Sequence, residues 1–330
     1  MIQNLVPPTQ SPALVCARAS ARSVAKVLLG LLCVAAIGAC DNKPAPEPPA
    51  VQSPDDGLKP VKLEEVPSAS RRLVILAPNL TEIVFALGAG DRVIGVSDYA
   101  TYPPEVEDLP RVGGLLNPNL ERVLELKPDL VLLHASNKEL AFRLRKLGLQ
   151  PRMFSADSVE QIYKVILRVG QAIGADLDAG ALVTGMKREL LEVAAPKDAP
   201  RVKVLLVVGR SDGTLQGLRS AGPGSFLHEL VELAGGENIA AGTGKAWPEL
   251  SKEALVAAAP DVIIEFAPGA KDDDAKALLP WGALPNVPAV KNGRIHRLKD
   301  DHLLIPGPRI VTTARDIRSV LDDARPTGEP

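Results

Sequence analysis

From Arg71 onward, short β-branched runs alternate with amphipathic stretches. Leu73–Ala77 (LVILA) has the unbroken apolar pattern of a strand buried on both faces. Asn79–Leu87 (NLTEIVFAL) follows as a helix with Ile83, Val84 and Leu87 on one face, ended by Gly88-Ala89-Gly90. Further strands are predicted over Val93–Val96, Asp129–Leu133, Arg152–Ser155, Val202–Val208, Val262–Phe266 and Arg294–Leu298. Helical patterns separate most of them, which predicts parallel α/β sheets. The stretch 158–195 breaks the alternation and reads as two successive helices, Ser158–Ile173 and Asp176–Ala195. A helix of about 20 residues is about 30 Å long, roughly one small domain across. The expected fold is therefore α/β: two similar lobes with mostly parallel sheets, joined by a single long backbone helix.

An internal repeat supports two related halves. Asn119–Leu133 (NLERVLELKPDLVLL) and Ser251–Glu265 (SKEALVAAAPDVIIE) share a capping residue, a Glu two positions later, and a Pro-Asp that starts an apolar strand. Earlier in each half, Leu87–Val96 (LGAGDRVIGV) parallels Leu233–Gly242 (LAGGENIAAG). These patterns divide the chain into an N-terminal lobe (71–157), connecting helices (158–200), a C-terminal lobe (201–325) and a tail (326–330).

The residues before the first lobe read differently. Arg18, Arg22 and Lys26 precede an uncharged apolar run from Val27 to Ala39, too short for a bilayer span but suited to a signal peptide. The run closes on Ile37-Gly38-Ala39-Cys40, which resembles a bacterial lipobox, so residues 1–39 are expected to be a lipoprotein signal peptide and Cys40 the acylated residue. Residues 40–70 hold seven prolines and few large apolar side chains, the composition of a disordered tether. Asp41 after the cysteine resembles the signal that keeps some lipoproteins on the inner membrane of diderm cells.

Charge and chemistry narrow the function. With 38 basic against 40 acidic side chains, the chain lacks the basic surplus that nucleic acid requires. All three cysteines (Cys16, Cys33, Cys40) fall in the first 40 residues, and the four histidines show no metal-ligand spacing. Gly217–Ser225 has glycines spaced as in a phosphate loop, but Pro223 stands in place of the lysine. No GxGxxG follows the first strand, no serine sits in GxSxG, and no histidine is spaced to pair with a nucleophile. No catalytic machinery is expected. Aromatic side chains are rare: two Trp, three Tyr and five Phe. Tyr99, Tyr102 and Trp247 lie in loops after predicted strands, where α/β sheets bind ligands. Phe85, Phe142, Phe226 and Phe266 lie on periodic apolar faces and are expected in the core, with Trp281 in the core or a hinge.

Together these pieces resemble the periplasmic substrate-binding proteins of ABC importers for vitamin B12, haem and iron-siderophores, most of all the B12-binding branch. The carrying strings are LAPNLTEIVFALGAGDRVIGVSDYATYPPEV (76–106), LPRVGGLLNPNLERVLELKPDLVLL (109–133), SFLHELVELAGGENIA (225–240), WPELSKEALVAAAPDVII (247–264) and PGPRIV (306–311). The resemblance implies a ligand cleft between the lobes and a corrinoid cargo. Tyr99 and Trp247 fall where B12 binders present aromatic side chains, Asp301 at a cleft-facing acid, and His302 where an aromatic can stand. Leu115 replaces a tryptophan of that pattern. Haem would take an axial Tyr99 or His302, and Arg210 and Arg219 keep anionic ferric siderophores open. The resemblance further implies a monomer on the periplasmic side, lipid-anchored, with an ABC permease dimer and its ATPase subunits as partners. Glu121 and Glu253 would dock to arginines of that permease. Two other classes compete: an envelope α/β enzyme, and an anchored interaction protein in which a filled cleft buries Tyr99 against Trp247.

Overall fold

The computed structural model describes residues 72–115 and 117–325; the predicted signal peptide, Cys40, the tether and the tail lie outside them. The first lobe runs β1 (Leu73–Ile75), α1 (Pro78–Ala86), β2 (Val93–Val96), α2 (Leu120–Glu125), β3 (Leu130–His134), α3 (Lys138–Lys146) and β4 (Pro151–Phe154). Its four strands lie in the order β2-β1-β3-β4, all parallel. Two helices follow, α4 (Val159–Ile173) and α5 (Asp176–Val193). The second lobe runs β5 (Val202–Val207), α6 (Phe226–Leu233), β6 (Gly236–Asn238), α7 (Lys252–Ala258), β7 (Val262–Phe266), α8 (Asp274–Leu278), α9 (Pro288–Lys291), β8 (Ile295–Leu298) and α10 (Ile310–Ala324). Its sheet has the order β6-β5-β7-β8, again all parallel. The two sheets thus share one strand order, as the sequence repeat requires.

The repeated Pro-Asp has a structural reason in each lobe. Asp129 Oδ2 accepts the Arg72 amide at 3.1 Å, and Asp261 Oδ2 accepts the Lys203 amide at 3.1 Å. Each aspartate therefore sets the start of one central strand against the start of its neighbour. The residues before the prolines, Lys127 (φ 48°) and Ala259 (φ 46°), are the two non-glycine residues with positive φ among the described residues. A left-handed residue there ends the helix and turns the chain straight into the strand.

The core explains how two lobes make one body. Apolar side chains of β1, α1, α4, α5, β5, α6 and α10 form one continuous buried cluster, including Leu73, Leu80, Ile166, Leu190, Leu206 and Ile317. Two smaller clusters cover the other sheet faces, one around Val131 and Leu133, the other around Ile263 and Trp281. The connection is well punctuated: Ser158 and Gln161 form a capping box on α4, and Gly174 (φ 72°) closes it. Helix α5 then packs between α4 and α10, so the long helix between the lobes is seated in the shared core.

One expectation needs correction, and one strand is added to those expected. Phe142 is 55% exposed, with Lys146 Nζ 4.5 Å above its ring, because α3 turns Leu140, Ala141 and Leu144 inward instead. Strand β6 (Gly-Glu-Asn) carries no strand-like side chains; it forms because β5 offers an edge that its backbone can pair with. Trp281 is 1% exposed and donates Nε1–H to Glu265, which assigns it to the core.

Candidate ligand site

In a parallel sheet the loops after the strands carry the side chains free to meet a ligand. Here those loops meet across the lobes at two seams. At one, the Phe226 amide donates to Asp157 O at 2.5 Å and the Val159 amide to Glu229 Oε2 at 3.1 Å. At the other, Thr101 Oγ1 donates to Asp301 Oδ2 at 3.0 Å, and Arg309 pairs with Glu82 of α1. The carboxyl ends of both sheets are thereby brought together.

Tyr99 stands on the loop after β2. That loop is fixed by Arg111, whose Nη1 donates to Ser97 O (3.1 Å) and Ala100 O (2.6 Å) and whose Nη2 donates to Val106 O (3.1 Å). The Asp98 amide donates to Gly113 O at 3.0 Å, and the Gly113 amide returns to Asp98 Oδ1 at 3.2 Å. Tyr99 lies against Gly114, where any side chain would come within 3.3 Å of its ring and 2.7 Å of Asn117 Oδ1. Leu115 follows, half-buried, its carbonyl accepting Asn137 Nδ2–H at 2.5 Å. Tyr99 thus lies against the residue before Leu115, whose own side chain packs on the main core. Tyr99 remains 64% exposed.

Trp247 is held by an irregular ladder of 246–250 against 218–222. Gly222 N donates to Ala246 O (2.8 Å), Ser220 N to Pro248 O (2.8 Å), and Leu250 N to Leu218 O (2.9 Å). A side chain at 222 would fall 2.3 Å from Lys245 O, so this approach requires glycine. Trp247 is 40% exposed. The filled-cleft reading needed both rings buried against each other; both are open to solvent.

The remaining residues divide. Asp301 receives Thr101 on one oxygen and Arg309 on the other, at 2.6 Å. Burial raises its pKa, but those hydrogen bonds outweigh it and hold the carboxyl below the usual range. His302 is buried, with Nε2 2.8 Å from Asp316 Oδ2 on α10, so its ring is engaged within the fold. Arg210 forks onto Glu265 at 3.2 and 3.0 Å with both side chains 7% exposed, which removes it as a free partner for an anionic ligand. Arg219 is exposed and its side chain makes no hydrogen bond or ion pair among the described residues. Glu121 and Glu253 are exposed in the first turns of α2 and α7, behind the caps Asn119 and Ser251. A hydrogen bond from its own backbone, then one from Ser251, lowers the Glu253 pKa.

Sequence reasoning passed over Arg111, Glu82 and Arg309. Glu82 is 3% exposed in the middle of α1; burial pushes its carboxyl up, against the pull of Arg309. All three lie within the quoted strings, Glu82 in 76–106, Arg111 in 109–133 and Arg309 in 306–311, but none was given a role. Among the described residues no group of His, Cys, Asp and Glu side chains is disposed to hold a metal, and no helix is long and apolar enough to cross a membrane.

Comparison with known proteins accounts for this arrangement. Residues 73–302 match the periplasmic binding protein family. An uncharacterized ABC transporter substrate-binding lipoprotein of Bacillus subtilis is 30% identical over 305 residues, 87% of this chain and 93% of the relative. A cobalamin-binding protein of Halobacterium salinarum is 31% identical over 290 residues, 81% of this chain and 76% of its own. The apo periplasmic heme-binding protein of Roseiflexus sp. RS-1 superposes with a TM-score of 0.64 at 29% identity, covering 78% of this chain and 99% of that one. With two matched parallel sheets, a shared core and exposed aromatic side chains at the strand ends, the chain belongs to the periplasmic binding protein family: it is a substrate-binding protein of the ABC-transporter class, not an enzyme.

Proposed function

We propose that the protein is a lipid-anchored receptor that captures a corrinoid between its lobes and delivers it to an ABC permease with ATPase subunits. The observation that carries the ligand reading is the pair of exposed aromatic side chains, Tyr99 and Trp247, one on each lobe at the carboxyl ends of the strands. Exposed aromatic rings on rigidly held loops suit a large, partly apolar macrocycle, each contributing about 1–3 kcal/mol through area and ring contact. Leu115, next in the chain to the Gly114 that Tyr99 approaches, would cover part of a ring face by burial alone. Relatives named for cobalamin binding support this choice. The Ile37-Gly38-Ala39-Cys40 string supports acylation, and the lipoprotein name of the Bacillus relative agrees with it.

Haem is the second reading, favoured by one observation: Tyr99 presents an exposed phenol suited to an axial position. The other predicted haem ligand, His302, is occupied by Asp316. Ferric siderophores lose Arg210 to Glu265 and retain Arg219. The purified protein is mixed with cyanocobalamin, haemin or a ferric siderophore, desalted, and its visible spectrum recorded. Retention of the cobalamin spectrum at one equivalent is the expected result; retention of haemin alone makes the second reading correct.

A further inference from the structure

The densest polar contacts between the lobes surround Arg309, at the start of α10. Its Nε donates to Glu82 Oε2 at 3.0 Å and its Nη2 to Oε1 at 2.5 Å, a two-pronged pair across 227 positions of sequence. Its Nη1 donates to Asp301 Oδ1 at 2.6 Å. The guanidinium carbon lies 3.9 Å from the centre of the Tyr102 ring. Asp301 holds Thr101 with its other oxygen, and Asn79 Nδ2 donates to Pro306 O at 3.4 Å. Gly307 passes over the pair within van der Waals reach, a Cβ there falling 3.4 Å from Glu82 Oε2. Arg309 thus grips the first lobe directly through the buried Glu82 and the Tyr102 ring, and reaches Thr101 through Asp301.

Stability alone is a poor account of this cluster. Desolvating a carboxylate and a guanidinium offsets most of their attraction, and apolar side chains would hold the lobes as well. What the fork adds is a fixed angle and register. The loop it fixes is the one carrying Tyr99, two positions before Thr101. We propose that Arg309 is a positioning residue for ligand binding, clamping the Tyr99 loop of one lobe to the other so that the tyrosine meets the ligand at the correct separation. The proposal rests on the reading of Tyr99 and Trp247 as ligand contacts.

The test is a pair of double-mutant cycles with cyanocobalamin as probe, or haemin if that is the compound retained. Arg309→Lys keeps the charge but loses the fork. It should weaken binding about tenfold with the circular dichroism spectrum unchanged. Tyr99→Ala should then cost little more in the Arg309→Lys background, whereas Trp247→Ala should cost its full amount, because only the tyrosine acts through the clamp. Thr101→Ala and Tyr102→Leu, on the exposed end of the cluster, give the same cycle if Arg309→Lys does not fold. Wild-type affinity in the clamp variants, or full additivity with Tyr99→Ala, overturns the clamp alone. Unchanged affinity of Tyr99→Ala and Trp247→Ala in the wild-type background overturns the site reading, and the clamp with it.

Discussion

Single side chains in this protein do work that their type alone does not predict. Trp247 and Tyr99 look alike in sequence as loop aromatics, and both are exposed on backbones fixed by hydrogen bonds. Trp247→Ala should weaken cobalamin binding about tenfold or more, measured by calorimetry, since a large ring removed from contact costs on the order of 1–3 kcal/mol. Unfolding midpoints should not move, because the side chain lies outside the core. His296 on β8 makes a separate prediction about pH. Burial lowers its pKa below 6.5, opposed by Asp323. A base with a lowered folded pKa takes its proton more readily when unfolded, so stability is full above the unfolded value and falls as pH drops through 6.5 toward the folded value. Denaturant midpoints of the wild type should decline over that window, and those of His296→Gln should decline less. Equal slopes would show that His296 is solvated in the native state.

At the scale of elements, what the sequence revealed follows from what each element buries. Strands β1, β3, β5 and β7 were legible because a central parallel strand is apolar on both faces, and all four occupy the middle of their sheets. Strand β6 was not, since an edge of three residues needs only backbone to pair. The aromatic loops were legible as rare side chains beyond strand ends. The Glu82–Arg309 clamp was not, because a glutamate within a helix carries no sign of a partner 227 positions away. The helix-to-strand joints hold the repeat's least obvious feature, the left-handed residues before Pro128 and Pro260. A left-handed alanine costs roughly 1–2 kcal/mol, and glycine returns about 0.5–1 kcal/mol of that through its freer unfolded chain. Ala259→Gly should therefore raise stability by about 0.5–1 kcal/mol, seen as a higher urea midpoint at constant slope. A lower midpoint would mean that this joint stores no strain.

For the whole molecule, the equal strand order of the two sheets places α2 and α7 at corresponding positions, each leading into the third strand of its lobe. Glu121 and Glu253 are the second residues of those helices, exposed behind capping side chains that bond the third amide, Asn119 to Arg122 and Ser251 to Ala254. A carboxylate in a first turn gains about 0.3–1 kcal/mol from the helix dipole, which is reason enough for either glutamate alone. The matched pair supports more. Helices α4, α5 and α10 share one buried core with both lobes, a connection that favours a set spacing between the two carboxylates. On the docking reading, the two charges would orient the receptor over a two-subunit permease and speed encounter more than they add affinity. Glu121→Ala and Glu253→Ala should leave the affinity for cobalamin within about twofold of wild type in the purified protein. In reconstituted vesicles containing the permease and its ATPase, each should slow uptake, and the double variant should be slower than either single one. Raising salt should slow the wild type and leave the double variant nearly unaffected, because screening removes only charges that are present. Wild-type uptake by the double variant would return both glutamates to the helix dipole.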